Sequence, residues 1–311
     1  GGVSGRPRLL SIGDLGIDQV IRVPHLPGRD EKIGGRLVAR GPGGMAANVA
    51  VGASRLGTPA RLAAATGADA MGREARAALA GEDVDTSFVA ERPGAPTFFC
   101  VILLDESGEK SLVRAEGAAF LPLASELAQD AFDGIAHAHL VHPEAGLFAR
   151  ARALARGAGA TLSLDLEAPD MPADDGQLAD LVDAVDILFL GDRSRAAVER
   201  RLGPLQAKDG KMIVTTKAAR GAELDAGGRR AQVPGLPTMA VDTLGAGDAF
   251  AAAFLHAWLA GRAPGEALAF ANAAGALATQ SFGAQAFGGQ DGIAATDRIE
   301  AMLSEAGRSH A

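Results

Sequence analysis

The stretch Asp242-Thr-Leu-Gly-Ala-Gly-Asp-Ala-Phe250 places two carboxylates and two glycines directly before a strongly helix-forming run. Gly245 and Gly247 allow a tight turn and let the backbone approach a ligand without a Cβ atom in between. A helix predicted over residues 247–260 would direct its free N–H groups and its positive dipole end at that ligand. The stretch therefore predicts a binding seat for an anionic oxygen, most commonly that of a phosphate.

Asp248 needs a separate explanation, because a carboxylate at such a seat repels phosphate. One interpretation is that Asp248 takes the proton from a hydroxyl group that attacks the phosphorus atom. The other is that Asp248 caps the helix and that the glycines only shape a strand-to-helix turn. Taken alone, these residues leave both interpretations open.

Two further motifs carry polar side chains near the beginning of the chain. Gly43-Gly-Met-Ala-Ala-Asn48 places paired glycines before a predicted helix, and the amide of Asn48 can both donate to and accept from a polyhydroxylated ligand. Gly13-Asp-Leu-Gly-Ile-Asp18 follows the first predicted strand, and Asp18 can accept hydrogen bonds from sugar hydroxyls. The alternatives are a surface asparagine in a first helical turn and a solvated aspartate in a turn.

Strand-like and helix-like segments alternate along most of the chain, as parallel βαβ units require. We therefore predict an α/β fold with a doubly wound, mostly parallel sheet and helices on both faces. The predicted strands are residues 8–13, 19–23, 35–40, 60–65, a segment near 139, 161–166, 184–190 and 212–216, with two short strands within 221–233. The predicted helices are residues 45–56, 70–80, 144–156, 177–182, 193–201, 247–260, 264–282 and 296–304.

Two segments with alternating polar and apolar residues do not fit the βαβ pattern, and 96–117 reads as a β-hairpin. We predict that they form a small β-sheet lid over a cleft at the carboxyl edge of the large sheet, where ligands of such folds bind. An exposed sheet face would be buried by a second copy, so we expect a homodimer through the lid. The predicted lid comprises residues 15–42 and 96–117, and the α/β domain comprises 1–14, 43–95 and 118–311.

The composition excludes several classes of partner. The chain has 311 residues, 48% of them hydrophobic, and a net charge of −8 with no basic cluster, which argues against nucleic acid or an anionic membrane as a partner. The single cysteine, Cys100, excludes an internal disulfide and favours a cytoplasmic location. We see no signal peptide and no apolar run long enough to span a bilayer.

Taken together, the motifs ending at Asn48 and Asp248 resemble those of the ribokinase-like carbohydrate kinases over nearly the whole chain. The resemblance implies ATP-dependent phosphorylation of a hydroxyl group of a sugar, or of a nucleoside in some members. Asp248 matches the general base of the family, and the backbone N–H groups from Ala246 through Gly247 to Asp248, directly after Gly245, match its anion hole. Asp18, Gly44 and Asn48 match substrate contacts.

The resemblance also implies cofactor sites. Asn272 falls where members of the family line the adenine pocket, and ATP would be accompanied by Mg²⁺. Asp242 matches a position beside a monovalent cation such as K⁺, with further carbonyl groups expected at residues 281–285.

Two segments depart from the family pattern. Where many members carry Asn-x-x-Glu, this chain has Gly191-Asp-Arg-Ser194, and Asp192 is a candidate for holding a Mg²⁺-bound water. In the following loop Thr216 and Gly221 fit the pattern, whereas Lys217 does not and is a candidate for contacting an ATP phosphate. These departures keep a non-catalytic sugar or nucleotide sensor open as an alternative to the kinase.

Other polar residues are open to two interpretations. Arg114 leads the predicted lid strand back towards the cleft, where it either binds an anionic group of the substrate or is a solvated arginine. His137, His139 and His142 do not have the further ligands of a metal site, and packing at the strand end is favoured. No dinucleotide fingerprint follows the first strand, which argues against an oxidoreductase.

Overall fold

The computed structural model describes residues 9–239, 241–280 and 295–309, with side chains up to residue 306. These ranges contain thirteen strands and eight α-helices. The strands are β1 (Leu9–Ile12), β2 (Gly16–Arg22), β3 (Arg36–Gly43), β4 (Ala60–Gly67), β5 (Val84–Arg92), β6 (Phe99–Leu104), β7 (Lys110–Ala115), β8 (His137–Val141), β9 (Thr161–Asp165), β10 (Ile187–Gly191), β11 (Met212–Thr216), β12 (Ala222–Ala226) and β13 (Arg229–Val233). The helices are α1 (Met45–Arg55), α2 (Ala70–Leu79), α3 (Ala145–Ala158), α4 (Asp175–Ala184), α5 (Asp192–Leu202), α6 (Ala246–Leu259), α7 (Pro264–Ala278) and α8 (Ala295–Ser309).

Nine strands form one large sheet in the order β13-β12-β11-β10-β9-β8-β1-β4-β5. The seven strands from β11 to β5 run parallel to their neighbours, and β12 and β13 form an antiparallel hairpin at one edge. The predicted fold class, a doubly wound and mostly parallel sheet, is confirmed.

Helices cover both faces of the large sheet. Successive residues of a strand point to opposite faces, so each strand contributes side chains to a core on either side of the sheet. Leu9 packs into a core formed mainly with α1, α6 and α7, whereas its neighbour Leu10 packs into a second core with α3, α4 and α5. Both leucines are fully buried, as is the whole of β1. A strand that is buried on both faces reads as a continuous apolar run in the sequence, which is why this segment was recognisable.

A separate four-stranded sheet has the order β3-β2-β6-β7. Its outer pairs are antiparallel, and the central β2–β6 pair is parallel. Val20, Phe98, Cys100 and Ile102 form a small core of its own. This small sheet corresponds to the predicted lid. Its strands fall within the predicted lid ranges, except for Gly43 at the end of β3. The domain limits themselves stay a prediction.

Several elements differ from the sequence-based prediction; α8, for example, continues to Ser309, past the predicted end at residue 304. The strand β5 was not predicted, because its residues lack a regular alternation and its pairing with β4 shifts register between Arg61 and Ala63. The helix α7 ends at Ala278, short of the predicted end at residue 282. Among the described residues, we find no helix with the length and apolar content needed to cross a bilayer.

Candidate active site

Most of the candidate site residues lie at one edge of the large sheet. The neighbouring parallel strands β1, β8, β9, β10 and β11 all end there, and a polar residue is the last of each strand or lies one or two positions beyond it. These residues are Asp14, His142, Asp165, Asp192 and Lys217. Parallel strands bring their carboxyl ends to the same side, so residues far apart in sequence line one cleft.

The first turn of α6 is the segment predicted to bind an anionic oxygen. Gly245 is the N-cap of the helix and has a left-handed backbone with φ 71°, a conformation that side chains other than glycine rarely adopt. Within the described residues no side chain caps this end, so the capping role considered for Asp248 is not the one it has; Asp248 follows Ala246 and Gly247 within the helix. The Ala246 N–H donates to the Thr243 carbonyl at 3.5 Å, a long hydrogen bond. The N–H groups of Gly247 and Asp248, in the same first turn, are suited to an anionic ligand.

Asn48 and Asp248 meet although they are 200 residues apart. Asn48 lies in the first turn of α1, and its Nδ2 donates to Asp248 Oδ2 at 2.8 Å. Both side chains are buried, with 7% of each residue exposed. The structure thus brings two of the predicted site residues into direct contact.

The environment of Asp248 suits a proton acceptor. Burial raises its pKa well above the ordinary value, and the hydrogen bond from Asn48 opposes that shift. The nearby carboxylates of Asp165, Asp14 and Glu167 raise the pKa further. A carboxylate with a raised pKa binds a proton more strongly, which is what a general base requires.

Asp14 is a site residue that the sequence analysis passed over in favour of Asp18. Its Oδ1 accepts a hydrogen bond from the backbone N–H of Ala46 at 3.0 Å, at the start of α1. Burial would raise the pKa of Asp14, but contact with His142 and the N–H groups of Met45 and Ala46 lowers it below its usual range. Its position two residues beyond the first buried strand is the signal that could have identified it.

Asp18 lies on β2, where the small sheet begins, and its carboxyl group packs against Gly43. A Cβ atom added at Gly43 would lie 2.3 Å from Asp18 Cγ, so only glycine fits opposite this carboxylate. Burial raises the pKa of Asp18 to about 7, with further contributions from Asp14 and Asp242. Gly44, the N-cap of α1, has φ 103°.

Arg114 of β7 connects the small sheet to the large one. Its Nη2 donates to Asp170 Oδ1 at 2.8 Å, and its Nε lies 3.0 Å from Glu116 Oε1. His142 Nδ1 lies 2.6 Å from the other oxygen of Asp170, so one carboxylate is shared by two basic groups. Asp170 was not predicted, because nothing in its local sequence marks it.

His142 is buried and has a left-handed backbone with φ 53°, which is unusual for a residue other than glycine. Burial would lower its pKa, but the carboxylates of Asp14 and Asp170 raise it to about 10, so the ring is an imidazolium. Its Nε2 lies 3.5 Å from Asp14 Oδ2 and makes no hydrogen bond within the described residues. Phe120 packs on the ring with 5.0 Å between centroids.

The residues predicted to bind the nucleotide lie towards the β11 side of the site, and several have partners of their own. Thr216 is in register with Gly191 at the ends of β11 and β10, beside Asp192. The Lys217 ammonium contacts Glu223, and Asp192 contacts Arg220. Asn272 Nδ2 donates to the Pro234 carbonyl at 2.9 Å, and Gly221 has φ 95°.

Asp242 lies before α6 in the turn that carries the anion seat. Its Oδ1 accepts a hydrogen bond from the Leu244 N–H at 2.9 Å. Lys110 of the small sheet reaches this turn, where its Nζ donates to Thr243 Oγ1 at 2.7 Å. Residues 281–285, where further ligands of a monovalent cation were expected, lie outside the described residues.

The histidines of β8 lie inside the sheet. His137 and His139 are fully buried and both hydrogen bond to the Ser163 hydroxyl at 2.7 Å. Burial lowers the pKa of each ring to about 3. Both rings therefore pack inside the sheet; among the described residues, no group of three or more His, Cys, Asp and Glu side chains is arranged to hold a metal ion.

Comparison with known proteins agrees with this picture. Residues 6–288 match the pfkB family of carbohydrate kinases. An ATP-dependent ribose-1-phosphate kinase of Halopiger xanaduensis is 31% identical over 290 residues, which cover 93% of this chain and 97% of the relative. Fructokinase-1 of Zea mays is 29% identical and covers 90% of this chain and 94% of its own length.

Solved structures have the same fold. The structure of Arabidopsis thaliana ribokinase complexed with ribose and ATP superposes with a TM-score of 0.79 at 24% identity. The superposition covers 96% of this chain and 99% of the ribokinase.

Proposed function

Since this chain belongs to the pfkB family of carbohydrate kinases, we propose that it transfers the γ-phosphoryl group of ATP to a hydroxyl group of a small sugar. The contact between Asn48 and Asp248 at the amino end of α6 carries the proposal. It places a basic carboxylate beside backbone N–H groups that suit an anionic phosphoryl group.

In the proposed reaction, Asp248 accepts the proton of the sugar hydroxyl while the hydroxyl oxygen attacks the γ-phosphorus atom in line. Asn48 orients the carboxylate through its hydrogen bond to Oδ2. The N–H groups of Ala246, Gly247 and Asp248 stabilise the charge on the transferred group. Asp18, Asn48 and Gly44 bind the sugar, and the small sheet acts as a lid that excludes water.

ATP would extend from the anion seat towards β11, with Thr216, Lys217 and Gly221 near its phosphates and Asn272 near the base. Mg²⁺ would supply positive charge that neutralises the phosphate groups. The oxygen donors that fit it are Asp165, which has no ion pair within the described residues, and Asp192, through a water molecule. A monovalent cation such as K⁺ beside Asp242 is part of the same proposal.

The replacement Asp248→Asn tests the general base. It keeps the shape of the side chain but removes its basicity, so turnover should fall by about 10²–10⁴-fold. Because a buried carboxylate is removed, we expect the melting temperature to stay the same or rise. ADP release with a panel of pentoses, ketoses and nucleosides measures the turnover.

Near-normal turnover of the Asp248→Asn variant would exclude Asp248 as the base. If wild type releases ADP with no acceptor in the panel, the sensor alternative becomes the better explanation. Nucleosides are included in the panel because some relatives of this fold act on them. A nucleoside is the less favoured substrate, because its base would need an aromatic ring to stack on. Phe98 and Phe120 instead pack on each other, with 4.9 Å between their ring centroids.

We also propose a homodimer through the small sheet, in the cytoplasm. Leu37 on β3 and Leu112 and Val113 on β7 are exposed by 53%, 46% and 61% on its two edge strands. Apolar residues on strand edges favour pairing with a second copy. Sedimentation of wild type and of Val113→Asp should give a dimer and a monomer, respectively; a monomeric wild type at micromolar concentration would refute the proposal.

A further inference from the structure

Four side chains with alternating charge form a row between the small sheet and the large one. Arg114 donates to Asp170 at 2.8 Å, and the other oxygen of Asp170 lies 2.6 Å from Nδ1 of His142. On the far side of the ring, Nε2 lies 3.5 Å from Asp14. A neutral imidazole donates from only one nitrogen, so a ring with a carboxylate on each side fits the charged form. We call Arg114, Asp170, His142 and Asp14 the charge row.

The first link of the charge row joins two separate parts of the fold. Arg114 belongs to an edge strand of the small sheet, whereas Asp170 ends a short 3-10 helix that follows β9 of the large sheet. Nη1 and Nη2 of the guanidinium both contact the carboxylate, at 3.3 Å and 2.8 Å, and such a fork fixes direction as well as distance. This link forms only while the small sheet lies against the large one.

The last link of the charge row holds the start of α1. Asp14 Oδ1 accepts from the Ala46 N–H at 3.0 Å, and the Asp14 carbonyl accepts from the Ala47 N–H at 3.3 Å. Asn48 belongs to the same first turn, and its Nδ2 donates to Asp248 at 2.8 Å. A change in the position of Asp14 would therefore reach the side chain that contacts the proposed base.

The central member of the row, His142, has little freedom to turn away from either carboxylate. Its left-handed backbone, with φ 53°, is one that residues other than glycine keep only where their surroundings fix it. The residue is 4% exposed, and Phe120 packs on its ring with 5.0 Å between centroids. The ring thus transmits the position of Asp170 to Asp14.

We propose that Arg114 and His142 are positioning residues for phosphoryl transfer. Through the charge row they fix the start of α1, and with it the direction in which Asn48 holds the Asp248 carboxylate. The inference rests on the proposed kinase function and deepens it. It departs from the interpretation in which Arg114 binds an anionic group of the substrate. Since members of a partly buried charge network compensate one another, the loss of one weakens the rest.

A second contact holds α1 without the small sheet. Ser11 Oγ donates to the Ala46 carbonyl at 2.8 Å, and both residues are fully buried. Loss of the charge row should therefore leave α1 in place and change only the direction of its first turn. We expect a folded protein with reduced turnover.

Arg114→Met keeps a long side chain and removes its charge. We expect kcat to fall by about 10-fold or more and the KM for the sugar to change by less than about 3-fold, because the base loses its orientation while the sugar contacts remain. The matched control is Arg201→Met, since the Arg201 side chain is 26% exposed, against 27% for Arg114, and pairs with Asp175. It should change neither constant. A raised KM with unchanged kcat would assign Arg114 to substrate binding and overturn the inference.

The Asn48→Ala background separates positioning from a general structural role. If Arg114 acts through Asn48, Arg114→Met should lower the kcat of the Asn48→Ala variant by less than about 2-fold. An equal loss in both backgrounds would show that Arg114 acts by another route. His142→Gln should follow the same pattern; if that variant does not fold, the Arg114 variants still decide.

The Asn48 side chain can also be observed without catalysis. The chain has two asparagines, Asn48 and Asn272, so isotopically labelled asparagine gives two side-chain amide signals in an NMR spectrum. Arg114→Met should shift the Asn48 signal and leave that of Asn272, which donates to the Pro234 carbonyl, in place. Arg201→Met should shift neither. An unchanged Asn48 signal in Arg114→Met would contradict the coupling.

The outcomes separate this inference from the proposed function. If wild type phosphorylates no acceptor, the kinase proposal fails, and the amide signals still test the link between Arg114 and Asn48. If wild type phosphorylates a sugar but Arg114→Met alters neither kcat nor the Asn48 signal, the kinase proposal stands and the positioning role is wrong.

Discussion

Gly247 lies immediately before Asp248 in the first turn of α6. A Cβ atom at this position would meet nothing within 4 Å among the described residues, so packing does not explain the glycine. Its backbone conformation is helical, which alanine adopts readily. The remaining explanation is close approach of a ligand to the backbone at the anion seat.

We predict that Gly247→Ala folds normally and loses turnover. The free energy of unfolding should stay the same or rise by up to about 1 kcal/mol, because alanine is the better helix former. Turnover should fall by at least about 10-fold, because the methyl group takes the place of a phosphoryl oxygen. Urea denaturation and ADP release measure the two quantities.

The control for this change is Gly157→Ala, an equally unobstructed glycine inside α3. It should give a similar gain in stability with unchanged turnover. Full activity of the Gly247→Ala variant would place the phosphoryl group elsewhere.

The helices α1 and α6 pack closely enough for Asn48 to reach Asp248, and small residues allow that approach. One helical turn beyond this pair, Gly52 faces Ala252, and a Cβ atom at Gly52 would lie 2.9 Å from the Ala252 Cβ atom. Residues four apart lie on the same helix face, so the Gly52 contact determines the spacing between Asn48 and Asp248.

We predict that Gly52→Ala separates the two helices and weakens the Asn48–Asp248 hydrogen bond. Overpacking should cost about 1–3 kcal/mol, partly offset by the helix propensity of alanine. Turnover should fall more than the affinity for the sugar, because the base loses its orientation. Denaturation midpoints and steady-state kinetics check this, with Gly157→Ala as the matched control.

The second change Ala252→Gly in the Gly52→Ala background provides the stricter test. It removes the opposing methyl group and should restore most of the turnover. If the double variant is no more active than Gly52→Ala alone, the spacing argument is incorrect.

The large sheet carries two neutral histidines in its interior, and this makes the stability of the protein depend on pH. His137 and His139 are fully buried, and burial lowers the pKa of each to about 3. Below an unfolded-state pKa of about 6.5, only the unfolded chain binds the protons, so the contribution of these residues to stability decreases as the pH falls towards 3. Raised carboxyl pKa values, such as that of Asp18, act in the opposite direction.

A difference measurement isolates one histidine. Between about pH 7.5 and about pH 5, each buried neutral histidine should cost about 2 kcal/mol of unfolding free energy. His139→Asn retains a hydrogen-bonding group for Ser163 but cannot be protonated, so its stability should fall by about 2 kcal/mol less than that of wild type over this range. Chemical denaturation at both pH values measures the difference.

Gly157→Ala in α3 is the control, because it changes no titratable group. Its pH dependence should match that of wild type. Equal pH dependence of wild type and the His139→Asn variant would show that His139 is protonated to the same extent in the folded and unfolded states.

Local patterns in the sequence were sufficient for the fold class and for naming three parts of the candidate site, whose function stays a prediction. Buried strands, helical runs and glycine turns are encoded within a few neighbouring residues, so the parallel sheet, the amino end of α6 and the polar residues Asn48 and Asp18 could be predicted. The strand β5 was missed because an edge strand with a register shift has no regular alternation.

Contacts between distant segments were decided only by the tertiary structure. The 2.8 Å contact between Asn48 and Asp248 depends on the packing of α1 against α6, and the sharing of Asp170 by Arg114 and His142 depends on how the small sheet meets the large one. The raised pKa of Asp248 follows from burial and from carboxylates on other strands. Residue type and spacing therefore determine which chemistry is present, whereas strand order and helix packing determine which charges lie side by side, because electrostatic interactions depend on distance in space.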